Sequence, residues 1–183
     1  MHADQSWLWS GKAGIVLYGL RDLVGDSAMN AALREFKDKY AYRNSNYAGS
    51  NNLYECLNAH VPDSLRYYLD DSWNRVTLYD NKVTRASAQP IGGGSWKVEL
   101  NVSINKVHIG KGTEQMVKNM NDFIDIGVFA KPSKDSVGLN KSRPLLLQKV
   151  RLTYGTHKLK FIVNGEPETA GVDPMAKLID RAP

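Results

Sequence analysis

The 183-residue sequence predicts an α+β protein: a helical segment of about four helices over residues 1–74, followed by an antiparallel β-sandwich domain over residues 75–183. Three observations predict it. Up to Asn74 apolar residues recur three or four apart, the helical period, whereas beyond Asn74 they alternate with polar ones, the strand period. The strand-like runs are separated by short turns rich in glycine, asparagine and proline, with no helical pattern between them. The run from Trp96 to Asn105 alternates without a break, so an extended chain puts Trp96, Val98, Leu100, Val102 and Ile104 on one face and Lys97, Glu99, Asn101, Ser103 and Asn105 on the other. A half-buried strand of this kind needs neighbours on both edges, and the rest of the second half supplies them.

In chain order, the first helix is expected from about Lys12 to Gly25, with Ala13, Val16, Leu17, Leu20, Leu23 and Val24 in its stripe and Gly25 placed for a left-handed C-terminal cap. Asp26 or Ser27 caps a second helix, with Met29, Ala32, Leu33, Phe36 and Tyr40 opposite Arg34, Lys37 and Asp38. Arg43 to Gly49 reads as a loop. Ser50 is a suitable cap for a short third helix carrying Leu53, Cys56 and Leu57, and Pro62 opens a fourth with Leu65, Tyr68, Leu69 and Trp73 on one side. Val76 and Leu78 begin the first strand, Asp80-Asn81 marks a turn or bulge, and Val83 resumes before Pro90. Gly92-Gly93-Gly94 turns the chain into the Trp96 strand. Phe123 to Phe129 reads as a strand buried on much of both faces, and Lys131 to Pro144 as a polar excursion. Val150, Leu152 and Tyr154, then Leu159, Phe161 and Val163, alternate around Gly155-Thr156 and predict a hairpin. The pattern of short antiparallel strands suits an immunoglobulin-like sandwich.

Composition is that of an ordinary globular protein, 42% hydrophobic and 23% charged. No run of about 18 apolar residues occurs, the length a spanning helix needs. Met1 to Lys12 lacks the basic stretch followed by an apolar one that marks a signal peptide. The net charge of +5 is uneven: only seven of the 24 Lys and Arg precede Arg75, against nine of the 19 Asp and Glu. Lys97, Lys106, Lys111, Lys118, Lys149, Arg151, Lys158 and Lys160 mostly fall on polar strand positions or in turns. Two readings stand: solvated outer faces with lysines guarding sheet edges, or attraction to an anionic partner. No aromatic-interleaved basic cluster accompanies the charge, so nucleic acid is not expected as a partner.

Catalytic patterns are missing. His2, His60, His108 and His157 are isolated and have no His-Glu-x-x-His or Cys-x-x-Cys companion, so neither a metal nor another cofactor is expected in this chain. There is no Gly-x-Ser-x-Gly elbow, and the single cysteine, Cys56, sits on an apolar helix face as a small buried hydrophobe. The Asp70-Asp71 pair reads as a solvated helix end.

Several strings nonetheless carry a resemblance. Gln5 to Gly14, continuing through Leu17-Tyr18-Gly19-Leu20-Arg21-Asp22-Leu23-Val24-Gly25 to Asn30-Ala31-Ala32-Leu33, resembles the segment that follows the zinc site in aminopeptidase N-type zinc metallopeptidases, where a Tyr-x-Lys-Gly motif opens a helix ending at a glycine. Pro62 to Leu65, Thr77-Leu78-Tyr79-Asp80-Asn81, Asp122 to Phe129, Ala170 to Pro174 and Lys177 to Arg181 look like a bacterial branch of that family, in which the peptidase region often follows transporter-like membrane segments. The resemblance spans essentially the whole chain. It implies the C-terminal portion of such a hydrolase: the last helices of a thermolysin-like catalytic domain, then the β domain. Zinc, its ligands and the general base would then belong to an upstream catalytic domain of the parent, the expected partner, and membrane association would come only through the parent. Alone, the chain is expected to be inactive. The family's oxyanion-stabilising tyrosine falls on Ser10 and its glycine on Ala13, and a serine hydroxyl is too short to reach the same oxygen. Without its catalytic domain, the helical part with Trp7, Leu8, Trp9, Tyr18 and Leu23 is expected to expose an apolar face and self-associate. The rival expectation is a non-enzymatic module whose basic β domain binds a protein, a glycan or a membrane surface.

Overall fold

The computed structural model describes residues 11–42, 47–134 and 140–181. No helix among them is long and apolar enough to cross a membrane. The described residues fall into two compact units, each taken by itself: one holds those up to Thr77 together with His108–Thr113, the other Leu78–Val107 and those from Glu114 onward.

The four expected helices are corrected in the first unit. The two expected before Tyr40 are one element, α1 (Ala13–Tyr40), kinked at Gly25. With φ at 85° and ψ at 163°, Gly25 lies in a region open essentially to glycine, so it bends the helix where a left-handed cap was expected to end it. Val16 and Leu20 are buried before the kink, Met29 and Ala32 after it. In α2 (Ser50–His60) the cap is Gly49, not Ser50. The Asn52 side chain accepts the Gly49 N–H at 2.9 Å, which satisfies a donor that the helix start leaves open. Cys56 and Leu57 face inward. No regular fourth helix follows. Asp63–Leu65 is a 3-10 turn, α3 (Arg66–Leu69) a single α-turn, and Asp70–Asn74 a wider π-type turn. Segments this short hold no helix by propensity, so tertiary contacts decide their winding. Leu65, Tyr68 and Leu69 supply them, and the Tyr68 hydroxyl donates to the Val16 carbonyl at 3.2 Å.

The expected two-sheet sandwich is corrected as well. The strands are β1 (Val76–Tyr79), β2 (Lys82–Gly92), β3 (Ser95–Ile104), β4 (Lys106–Gly110), β5 (Thr113–Met116), β6 (Asn121–Ala130), β7 (Ser133–Lys134), β8 (Asn140–Lys141), β9 (Pro144–Thr153), β10 (Gly155–Asn164) and β11 (Pro167–Val172). Among the described residues they form three three-stranded sheets, ordered β1-β4-β5, β10-β3-β2 and β11-β6-β9, and a β7-β8 ribbon. β1, β4 and β5, of four or five residues each, pair with one another.

The hairpin expected around Gly155 is also absent. β9 pairs with β6 and β10 with β3, and the single residue Tyr154 carries the chain from one sheet to another. Gly155, at φ 111°, makes that corner. Both strands alternate, so either pairing would satisfy their pattern. The long partners β3 and β6 decide it, because only they present unbroken apolar faces. Val98, Leu100, Val102 and Ile104 of β3 and Ile124, Ile126 and Val128 of β6, with Tyr79, Met120, Leu152 and Val163, make one core in which every member is at most 5% exposed. Each such aliphatic side chain contributes about 1.5–3 kcal/mol on burial. Inside the same unit Lys106 Nζ lies 2.7 Å from Asp122 Oδ2, and the Tyr79 hydroxyl donates to that oxygen at 2.9 Å.

The chain closes through a turn centred on Asp173. Its carboxylate accepts the N–H groups of Lys177 and Leu178 at 3.0 and 2.8 Å, and its own N–H donates to the Asp125 carbonyl at 2.8 Å. Lys177 pairs with the Asp125 carboxylate. Beyond it, Asp180 accepts the Asn81 N–H at 3.1 Å, and Tyr79 exchanges backbone bonds with Ile179 and Arg181, both 2.9 Å.

Candidate functional site

The residues singled out from the sequence do not converge. Ser10, His2, Trp7, Leu8 and Trp9 lie outside the described residues. Tyr18 is 45% exposed and Leu23 half-buried. His60 Nε2 sits 2.7 Å from Glu35 Oε2, His108 Nε2 2.8 Å from Asp71 Oδ1, and His157 Nε2 2.8 Å from its neighbour's carbonyl, that of Thr153. Each imidazole is engaged by a different partner. Among the described residues no group of three or more His, Cys, Asp or Glu could hold a metal ion. Cys56 is a buried free thiol, 2% exposed. The Asp70-Asp71 pair is not the solvated helix end expected. Asp71 is 6% exposed and bonds His108, while Asp70 is held below the usual carboxylate range mainly by its hydrogen bond to Arg75, at 2.6 Å.

Polar side chains do converge on the solvent face of the β10-β3-β2 sheet. β3 runs down its middle, and the strict alternation that buries Leu100 and Val102 sends Lys97, Glu99 and Asn101 to the opposite side. The register then fixes their neighbours: Ser87 and Lys160 flank Glu99, and Arg85 and Lys158 flank Asn101. A bulge in β2 at Thr84 is essential to this. Val83 stands opposite Val102, on the core side, and an unbroken strand would put Arg85 on that side too. One extra residue flips the phase, so that Arg85, Ser87 and Gln89 face solvent beside Asn101, Glu99 and Lys97. The Thr84 hydroxyl donates to the Asn101 carbonyl at 3.0 Å and fixes the bulge to β3.

These residues line an open recess of about 270 Å³ bounded by Arg85, Ser87, Gln89, Glu99, Asn101 and Lys158. Its electrostatics are set by three lysines around one carboxylate. Lys97 Nζ hydrogen-bonds Glu99 at 2.8 Å, while Lys160 and Lys158 stand off at 3.5 and 3.6 Å. Together they pull the Glu99 carboxyl down to about 2, the Lys97 hydrogen bond first and the charges of all three lysines after it. Arg85, across Asn101, makes no ion pair among the described residues. The recess therefore offers a guanidinium, an ammonium, two side-chain amides and a hydroxyl, beside the one carboxylate of Glu99 that its lysines compensate. No histidine stands beside Ser87 among the residues that line it.

Lys97, Lys158 and Lys160 were visible in the sequence as polar strand positions, whereas Arg85, Ser87 and Gln89 were not placed with them. The usable signal was Thr84 and Arg85 following Val83: a polar pair where alternation allows one polar residue, which is how a bulge reads in a sequence. Comparison of the chain with protein-family models and with curated proteins finds no match.

Proposed function

We propose that this chain is the C-terminal, non-catalytic part of a zinc aminopeptidase-like protein, whose parent hydrolyses peptides at their N-termini through a zinc site borne elsewhere. The observation that supports it is where the resembling strings lie. Four of them, Thr77–Asn81, Asp122–Phe129, Ala170–Pro174 and Lys177–Arg181, are joined by direct bonds: Tyr79 to Asp122, Asn81 to Asp180, and Asp125 to both Asp173 and Lys177. Strings that meet in one network behave as the framework of a fold. That is what a resemblance to an enzyme's non-catalytic part should consist of.

The test is metal analysis of the purified chain with an aminoacyl-nitroanilide assay. No stoichiometric zinc and no hydrolysis are expected, because the residues that would bind metal and activate water are not in the sequence. One tightly held zinc per chain, or a source gene lacking His-Glu-x-x-His and a later glutamate in the parent, rejects the reading.

The basic solvent face of β10-β3-β2 favours a second reading, an interaction module that binds an anionic partner. Retention on a heparin resin, weakened by Lys158→Gln with Lys160→Gln and by salt, is the outcome it expects. Retention unchanged by the pair of substitutions would count against it.

A further inference from the structure

We infer that the recess on the β10-β3-β2 sheet is a binding site for a phosphoryl group, held between Arg85 and Lys158 above Asn101. This rests on the second reading, and narrows the anionic partner to one chemical group.

Geometry carries the argument. Arg85 and Lys158 are both register partners of Asn101, one on each neighbouring strand, so their Cα atoms lie about 10 Å apart with Asn101 midway. Two long cationic side chains rooted at that distance can close on one group between them, and the Asn101 amide lies beneath it. Neither cation is hydrogen-bonded to a carboxylate among the described residues, although Lys158 stands within ion-pair range of Glu99. Arg85 has no carboxylate partner among the described residues, and the 3.6 Å separation of Lys158 from Glu99 exceeds hydrogen-bond length. Lys97, at 2.8 Å, is the lysine that satisfies Glu99.

Charge decides the class of ligand. Lys97, Lys158 and Lys160 surround one carboxylate, which leaves two positive charges uncompensated, and Arg85 adds a third. A dianion gains more from that surplus than a carboxylate does, and a guanidinium fork matches two phosphoryl oxygens at once. Ser87 and Gln89 supply further donors at the rim. Among the described residues no aromatic side chain lines the recess, so they give neither a base nor a sugar ring a surface to stack on.

The experiment titrates the full chain with inorganic phosphate by calorimetry in chloride buffer, and in parallel mixes it with phosphatidylcholine vesicles with and without phosphatidic acid. Expected is saturable phosphate binding that weakens at least tenfold in Arg85→Gln and in Lys158→Gln. Lys149→Gln, on another sheet, leaves it unchanged. Vesicle binding lost in the same two variants places the phosphoryl group on a lipid, and phosphate binding without vesicle binding places it on a soluble ligand; both support the site. No saturable binding in either arm overturns the inference, as does binding that ignores Arg85→Gln. Retention on heparin alongside either failure leaves the second reading standing, and loss of heparin retention as well removes both.

Discussion

The polar contacts of the two units differ in reach. In the first unit most charged pairs are local: Arg21 with Asp26, Lys39 with Glu35, Arg66 with Asp63 and Arg75 with Asp70 lie three to five residues apart on one helix or its end. In the second, Lys82 with Asp80 and Lys97 with Glu99 are equally local. Other pairs there are distant: Lys106 with Asp122 is 16 residues apart, Lys177 with Asp125 is 52 and Arg181 with Glu114 is 67. The hydrogen bonds of Tyr79 to Asp122 and of Asn81 to Asp180 span 43 and 99. A local pair props up one turn of a helix that would form without it. A distant pair holds segments that nothing else in the sequence brings together, so its removal should be felt across the unit.

The largest expected effect follows from the buried end of that contrast. Asp122→Ala removes the carboxylate shared by Lys106 and Tyr79, whose side chains meet it where Lys106 and Asp122 are 4% and 3% exposed. Breaking one member of a buried pair costs about 3–5 kcal/mol. Urea unfolding should show it, and a loss below about 1 kcal/mol would mean that the long-range network does not carry the second unit.

Next come the two glycines. A Cβ on Gly127 would sit 2.6 Å from Phe129 Cε2 and 2.8 Å from Pro174 Cγ, so Gly127→Ala forces the closing turn off its strand at about 1–3 kcal/mol. At Gly25 nothing lies within 4 Å, and the cost of Gly25→Ala is backbone strain alone, about 1–3 kcal/mol. A larger side chain separates the two: Gly127→Leu should cost more than Gly127→Ala and Gly25→Leu about the same as Gly25→Ala, and equal increments would erase the distinction between a crowded long-range joint and a local bend.

The same contrast explains what the sequence made legible. The β3 strand and its buried side were readable because alternation over ten residues is a strong local signal, and Cys56 and Leu57 were readable from a short helical stripe. The hairpin at Gly155 was misread because β9 and β10 alternate equally well in either pairing, and their partners lie far off in sequence. The helices were miscounted because Gly25 can end a helix or bend one, and local spacing does not distinguish the two. The recess was half legible. Its lysines followed from alternation, but Arg85 reached the solvent face only through the Thr84 bulge, whose register depends on β3. Asp71 was misplaced for a similar reason, since its partner His108 lies 37 residues away.

The smallest expected effects belong to two surface carboxylates, one in each unit, Glu99 half-buried and Asp26 exposed. Glu99 is surrounded by three lysines, Asp26 by Arg21 alone, and both titrate below their ordinary range. A carboxyl whose folded value is lower than its unfolded one stabilises the protein when ionised. For Glu99 that contribution is complete above the ordinary 4.5 and is lost as pH falls through about 2. Glu99→Gln should therefore lower the thermal midpoint slightly at pH 7, and the gap to the parent should close between pH 4.5 and 2. Asp26→Asn should give a smaller gap that about 1 M salt narrows further than the Glu99 gap, because a single pair between two exposed side chains contributes little to begin with. The Glu99 gap should outlast that salt in part, since Lys97 hydrogen-bonds it at 2.8 Å on a strand that already holds both side chains in place. A Glu99 gap that persists unchanged at pH 2 cannot come from its ionisation, and would assign the effect to lost packing on the face of β3.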